Sequence, residues 1–174
     1  TLNDVTVALS GSTADVKAAL AGSFAAGYTG NVTLSDNHTL SELKAINDAT
    51  TGSITLNSSA VALSGTSLDV AAALDGFTNY TGNVTLTDTH NLAQLKSINN
   101  ATSGEITLNS YSVDLSGSAS DVSDALAGTF ASSYTGNVSL NTDHTLSQLK
   151  TISNGTSGQI TLNDVTLALS GSSA

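Results

Sequence analysis

Cysteine, proline, methionine, tryptophan and arginine are all absent from the 174 residues, and four lysines face 14 acids for a formal charge of −10. Without cysteine the chain has no disulfide, no thiolate metal site and no thiol nucleophile. So few cations cannot neutralise a phosphate backbone, which argues against nucleic acid as a partner. An anionic membrane surface repels such a chain for the same reason. No apolar run approaches the roughly 18 residues of a membrane span, and no signal peptide is visible, so no membrane insertion is expected. The chain opens at Thr1 rather than Met, and the expectation is a piece of something longer, with any targeting signal elsewhere.

Uncharged polar residues take the place of charge: 25 Thr and 27 Ser. Apolar residues make up 39%, largely Leu, Val, Ile and Ala, enough for a core of small side chains. Their order is repetitive. Leu-Ser-Gly begins at Leu9, Leu63, Leu115 and Leu169, and Tyr-Thr-Gly-Asn begins at Tyr28, Tyr80 and Tyr134. Leu-x-x-Leu-Lys spans Leu40–Lys44, Leu92–Lys96 and Leu146–Lys150. The period is therefore 54, 52 and 54 residues, a plain internal repeat. The step from Leu-Ser-Gly to Tyr-Thr-Gly is 19, 17 and 19, whereas the return step is always 35. A two-residue deletion thus sits between Gly76 and Tyr80, which reads as a tolerant loop. Thr1–Ser12 and Thr161–Ser172 differ only at Val7 and Leu167, so the array is expected to continue on both sides.

Each period reads as two strand–helix units. Helix caps stand at Ser12, Thr66 and Ser118, with Asp three residues on, and at Thr39, Asn91 and Thr145, with Glu or Gln three residues on. Such residues satisfy the free amides of a first helical turn. Helical spacing puts Val16, Ala19 and Leu20 on one stripe and Leu40, Leu43 and Ile46 on another. Gly22, Gly76 and Gly128 are expected to end the first helix of each period in the left-handed conformation. Between helices the apolar period becomes two, at Val32/Leu34, Ile54/Leu56 and Val61/Leu63. Crossovers of this length favour parallel strands. The expected fold is a single α/β solenoid over residues 1–174, with three tandem repeats of about 53 residues near 1–54, 55–106 and 107–160, and a fourth starting at 161–174.

Stacking converts recurrent residues into rows. Asn31/Asn83/Asn137 and Asn57/Asn109/Asn163 read as ladders that satisfy turn backbone, although the first row also falls in formal glycosylation sequons. His38, His90 and His144 precede the second cap of each period. They read as helix-entry residues, because helices about 8–10 Å apart keep the rings from one shared metal. Asp36 and Asp88 correspond, but Thr142 stands third, and that drift fits no dedicated calcium loop. Thr33/Thr85/Ser139 and Thr55/Thr107/Thr161 form hydroxyl rows, read first as a solvated strand face and second as a surface for glycan or ice. Tyr28, Tyr80 and Tyr134 read as covers of the core edge with their hydroxyls in water, or as sugar-stacking platforms. Every Ser, His or Asp candidate recurs threefold, whereas an active site usually breaks such symmetry. The reading is a non-enzyme, with no catalytic, cofactor-binding or metal residues assigned and no cofactor.

Tyr-Thr-Gly-Asn-Val-Thr-Leu, Thr-Leu-Ser-Glu-Leu-Lys-Ala-Ile-Asn and Leu-Ser-Gly-Ser resemble, over essentially the whole chain, tandem repeats of very large secreted or surface proteins of marine cyanobacteria and other aquatic bacteria. The resemblance implies an extracellular or cell-surface location and an adhesin-like spacer or stalk. Proteins of that kind often carry calcium-binding repeats, whose Gly-Gly-x-Gly-x-Asp nonapeptide is absent here. The phrase over 40–57 also looks faintly like a leucine-rich repeat, by architectural convergence. The expected partners are neighbouring repeats of the same chain, with possible end-to-end self-association and possible glycan. A calcium-stabilised adhesin segment is the remaining alternative.

Overall fold

The protein is described by a computed structural model over residues 4–24 and 26–170. Among these the element order is β1 (Leu9–Gly11), α1 (Thr13–Leu20), β2 (Val32–Leu34), α2 (Leu40–Ala49), β3 (Ile54–Thr55), β4 (Leu63–Gly65), α3 (Ser67–Ala73) and β5 (Val84–Leu86). There follow α4 (Leu92–Ala101), β6 (Ile106–Thr107), β7 (Leu115–Gly117), α5 (Ala119–Leu126), β8 (Val138–Leu140), α6 (Leu146–Gly155) and β9 (Ile160–Thr161). The fourth Leu-Ser-Gly ends at Gly171, outside the described residues, so the expected repeat start at 161–174 is described only to Ser170.

The strands form three three-stranded parallel sheets, β1-β2-β3, β4-β5-β6 and β7-β8-β9. One register recurs: Leu9 pairs with Val32 and Val32 with Ile54, as Leu63, Val84 and Ile106 do, and as Leu115, Val138 and Ile160 do. The arrangement is α/β and no barrel closes, while each helix packs on the next in chain order from α1 to α6. Val and Leu at alternate strand positions bury one sheet face: Val32, Val84 and Val138 are almost wholly enclosed. The core falls into two clusters: Val32 packs with Val16 of α1 and Ile46 of α2, whereas Val84 and Val138 join Leu43, Leu95, Ile98 and Ile152 of the even-numbered helices and Val70 and Val122 of the odd ones.

All six caps form where the sequence placed them, with Ser12, Thr39, Thr66, Asn91, Ser118 and Thr145 accepting from the amide three residues on. α2, α4 and α6 carry the full reciprocal box, because Glu42, Gln94 and Gln148 also accept from the cap amide. The shorter Asp15, Asp69 and Asp121 of the odd-numbered helices accept from the cap hydroxyl instead.

Two local expectations are corrected. Among Gly22, Gly76 and Gly128 only Gly76 is left-handed, with φ +77°. Gly128 is small for another reason: a Cβ there would overlap Asn99 Oδ1. Ala19, placed on the buried stripe, is exposed, whereas its counterparts Ala73 and Ala125 are buried. α3 and α5 each lie between two helices, while α1 has only α2 beside it among the described residues.

Candidate functional site

The Tyr row is internal. Tyr28, Tyr80 and Tyr134 are at most 1% exposed, so the reading of hydroxyls in water, or of sugar-stacking rings, is corrected. Tyr80 donates to the Val61 carbonyl at 2.6 Å and Tyr134 to the Val113 carbonyl at 2.7 Å, as Tyr28 donates to Val7. The glycine two residues after each Tyr is required by the same contact. A Cβ on Gly30, Gly82 or Gly136 would collide with the carbonyl that receives the hydroxyl.

The histidines complete these contacts. His38 Nε2 lies 3.0 Å from the Tyr80 hydroxyl and His90 Nε2 lies 3.1 Å from that of Tyr134, across 42 and 44 residues of chain. Each hydroxyl proton is committed to a carbonyl, so the ring nitrogen must be the donor and the neutral Nε2–H tautomer is assigned. Nδ1 of His38, His90 and His144 is then buried without a partner. Burial lowers the pKa of His38 and His90, opposed in part by the nearby charges of Glu42 and Asp88 respectively. Burial also pushes the Tyr80 phenol up to about 12. His38 and His90 therefore do more than prepare a helix entry: each ties one stretch of chain to the next.

The drifting acids also share a role. Asp36 Oδ1 accepts from the Thr13 amide and hydroxyl, Asp88 Oδ1 from the Ser67 amide, and Thr142 Oγ1 from the Ala119 amide. All three satisfy the first amide of an odd-numbered helix. The two Thr13 hydrogen bonds hold the Asp36 carboxyl below its usual range. The Asn31 row works similarly: Asn31, Asn83 and Asn137 each accept, at 3.0 Å, from the amide just before β3, β6 or β9. Among the described residues no group of three or more His, Asp or Glu is placed to hold a metal.

Among the described residues, besides a cleft of about 730 Å³ beside Leu92, Lys96 and Asp121, two features remain open to a ligand. The hydroxyl rows align across each sheet as Ser10–Thr33–Thr55, Ser64–Thr85–Thr107 and Ser116–Ser139–Thr161. All but the half-buried Thr107 are exposed. The other feature is a cleft of about 690 Å³ where the deletion falls, between the end of α2, β3 and the loop Gly76–Asn79.

The cleft is best understood against the next junction. There, Ile106 of β6 is bracketed by the loop after α5: its amide donates to Thr129 at 2.8 Å and its carbonyl accepts from Ala131 at 3.0 Å. Ile106 and Phe130 form a parallel bridge, and Ile106 is fully buried. The loop after α3 is two residues shorter and makes no such bridge to Ile54, which is only half-buried. It turns at Gly76, with the Phe77 amide donating to Leu74 at 3.0 Å. Phe77 then packs edge-on against Tyr80, with centroids 6.5 Å apart, the place that Phe130 holds beside Tyr134.

Sequence spacing thus located the one departure in loop length but assigned it no site. That a strand edge lies uncovered there follows only from long-range pairing. No described helix is long and apolar enough to cross a membrane. Neither a protein-family model, a curated protein nor a solved structure matches this chain.

Proposed function

We propose that the chain is an α/β solenoid of three tandem repeats of about 53 residues that acts as a structural spacer, an adhesin-like stalk segment of a large extracellular or cell-surface bacterial protein. The observation that carries this reading is the recurrent His–Tyr–carbonyl link, His38–Tyr80–Val61 and His90–Tyr134–Val113. Each link fastens one period to the next with buried hydrogen bonds. A repeat array stabilised by nearest-neighbour contacts of this kind extends in proportion to its number of units. The charge of −10 favours separation of such rods in solution. The chemistry is non-catalytic on this reading.

Small-angle scattering tests it: insertion of one further copy of residues 63–114 should lengthen the particle by a constant increment at unchanged cross-section. A particle that swells in all directions refutes the solenoid. Fractionation of cells making the natural protein, with recovery only from the cytoplasm, would refute the surface location.

A second reading, glycan or ice binding, is favoured by the exposed, in-register hydroxyl rows, which stand about 4.8 Å apart across the strands. It now rests on Ser and Thr alone, since the tyrosines are buried. Absence of both thermal hysteresis and glycan-array signal would remove it.

A further inference from the structure

The junction at Ile106 displays what the junction at Ile54 lacks. In a parallel ladder the polar groups of successive residues point to opposite sides. The Val32 amide donates to Ser53, so β2 uses the groups on either side of Ile54, and the Ile54 amide and carbonyl face away from it. Their counterparts on Ile106 face away likewise and are taken by Thr129 and Ala131. Among the described residues no such partners reach Ile54. The cleft of about 690 Å³ lies against this edge, within the size range of small-ligand pockets. Three extended residues span about 10 Å, so a short strand is of the right scale. The shortened loop does not close the gap, since its own contacts to Leu74 and Tyr80 anchor it.

We propose that this cleft is an acceptor site for an extended peptide segment of another protein, which adds to β3 as a parallel strand. Its occupant offers a carbonyl and, two residues later, an amide to Ile54, the pattern that Thr129 and Ala131 offer to Ile106. The residue between them is small, because Phe77 already fills the space over Tyr80 that Phe130 fills in the other junction. Charge fixes the flanks. The charged residues lining the cleft are Asp48 and Asp75; Lys44 pairs with Asp48 at 2.6 Å, while Asp75 has no ion-pair partner among the described residues. The occupant therefore carries a Lys or Arg on the flanks of its small central residue. Strand addition of this type takes affinity from main-chain hydrogen bonds and selectivity from side-chain pockets.

The test uses the full chain, isotope-labelled, titrated to millimolar concentration with a capped peptide of sequence Lys-Gly-Thr-Ala-Ala-Ser-Lys. The expected result is a saturable shift at the Ile54 and Ser53 amides, slower hydrogen exchange at Ile54, and no change at Ile106. Replacing Phe77–Asn79 with the five residues of 129–133 should close the cleft and abolish the shifts. Asp75→Asn should weaken the lysine peptide roughly two- to five-fold, the worth of one exposed ion pair, and leave a serine-flanked peptide unchanged. That variant decides the matter should the loop replacement fail to fold. No shift at Ile54, equal binding to the loop-restored chain, or an equal effect of Asp75→Asn on both peptides would each overturn the proposal.

Discussion

Tyr80 carries its hydroxyl into a buried position where it accepts from His38 and donates to Val61. Tyr80→Phe removes one oxygen but leaves two buried groups unpaired, a loss of about 1–3 kcal/mol. A chain of this size should then melt several degrees lower, and calorimetry of the variant checks it. The histidines add a pH dependence. The folded pKa of His38 and of His90 lies below the unfolded value of about 6.5. The unfolded chain therefore binds the proton better, and stability present above that pH is lost as pH falls through the folded value. The melting midpoint should drop between pH 7.5 and 5, and His90→Gln should flatten part of the drop; an invariant midpoint contradicts the burial account. The recurrence of His and Tyr was plain from the sequence, but their pairing was not. Residues 42 to 44 apart become neighbours only once the units stack. The same holds for Asp36, Asp88 and Thr142, which look like drift along the chain and act as one acceptor position in space.

At the scale of elements, the helix starts were legible because an N-terminal cap is local chemistry: a hydroxyl or amide and the backbone three residues on suffice. Ser118→Ala should cost about 1 kcal/mol, read as a lower denaturation midpoint with the fold retained. Strands were less legible. Alternation over Ile54–Leu56 and Val61–Leu63 resolves into β3, of two residues, and β4, which starts at Leu63, because pairing with a neighbour rather than apolar pattern sets where a strand stops. Among the described residues the left-handed turn occurs only in the shortened loop, where Gly76 must reverse the chain at once; the longer loop after α5 turns without it. Pairing also separates two matched amides. Ile106 is held by Thr129 and buried, whereas Ile54 lies on an uncovered edge. Hydrogen exchange of the free protein should be markedly faster at Ile54 than at Ile106. Equal protection would mean that the edge is covered.

For the whole molecule, apolar faces, parallel pairing and recurrent helix packing were readable because repetition supplies three versions of one signal. The proposed spacer reading carries an expectation about metals. A ligand that binds only the folded chain raises its melting point. The carboxylates of Asp36, Asp88 and Asp121 are already occupied by amides, hydroxyls or Lys96. The midpoint in millimolar calcium should match that in EDTA, and a large rise would move the reading to a calcium-rigidified adhesin.

The two junctions differ as a bolted and an unbolted joint differ. Between β6 and the loop after α5 the main chain itself is stitched across, but among the described residues no main-chain hydrogen bond links β3 to the loop after α3. A chain loaded from its ends therefore has uneven compliance. Under such a load it is expected to give way first near residues 54–79.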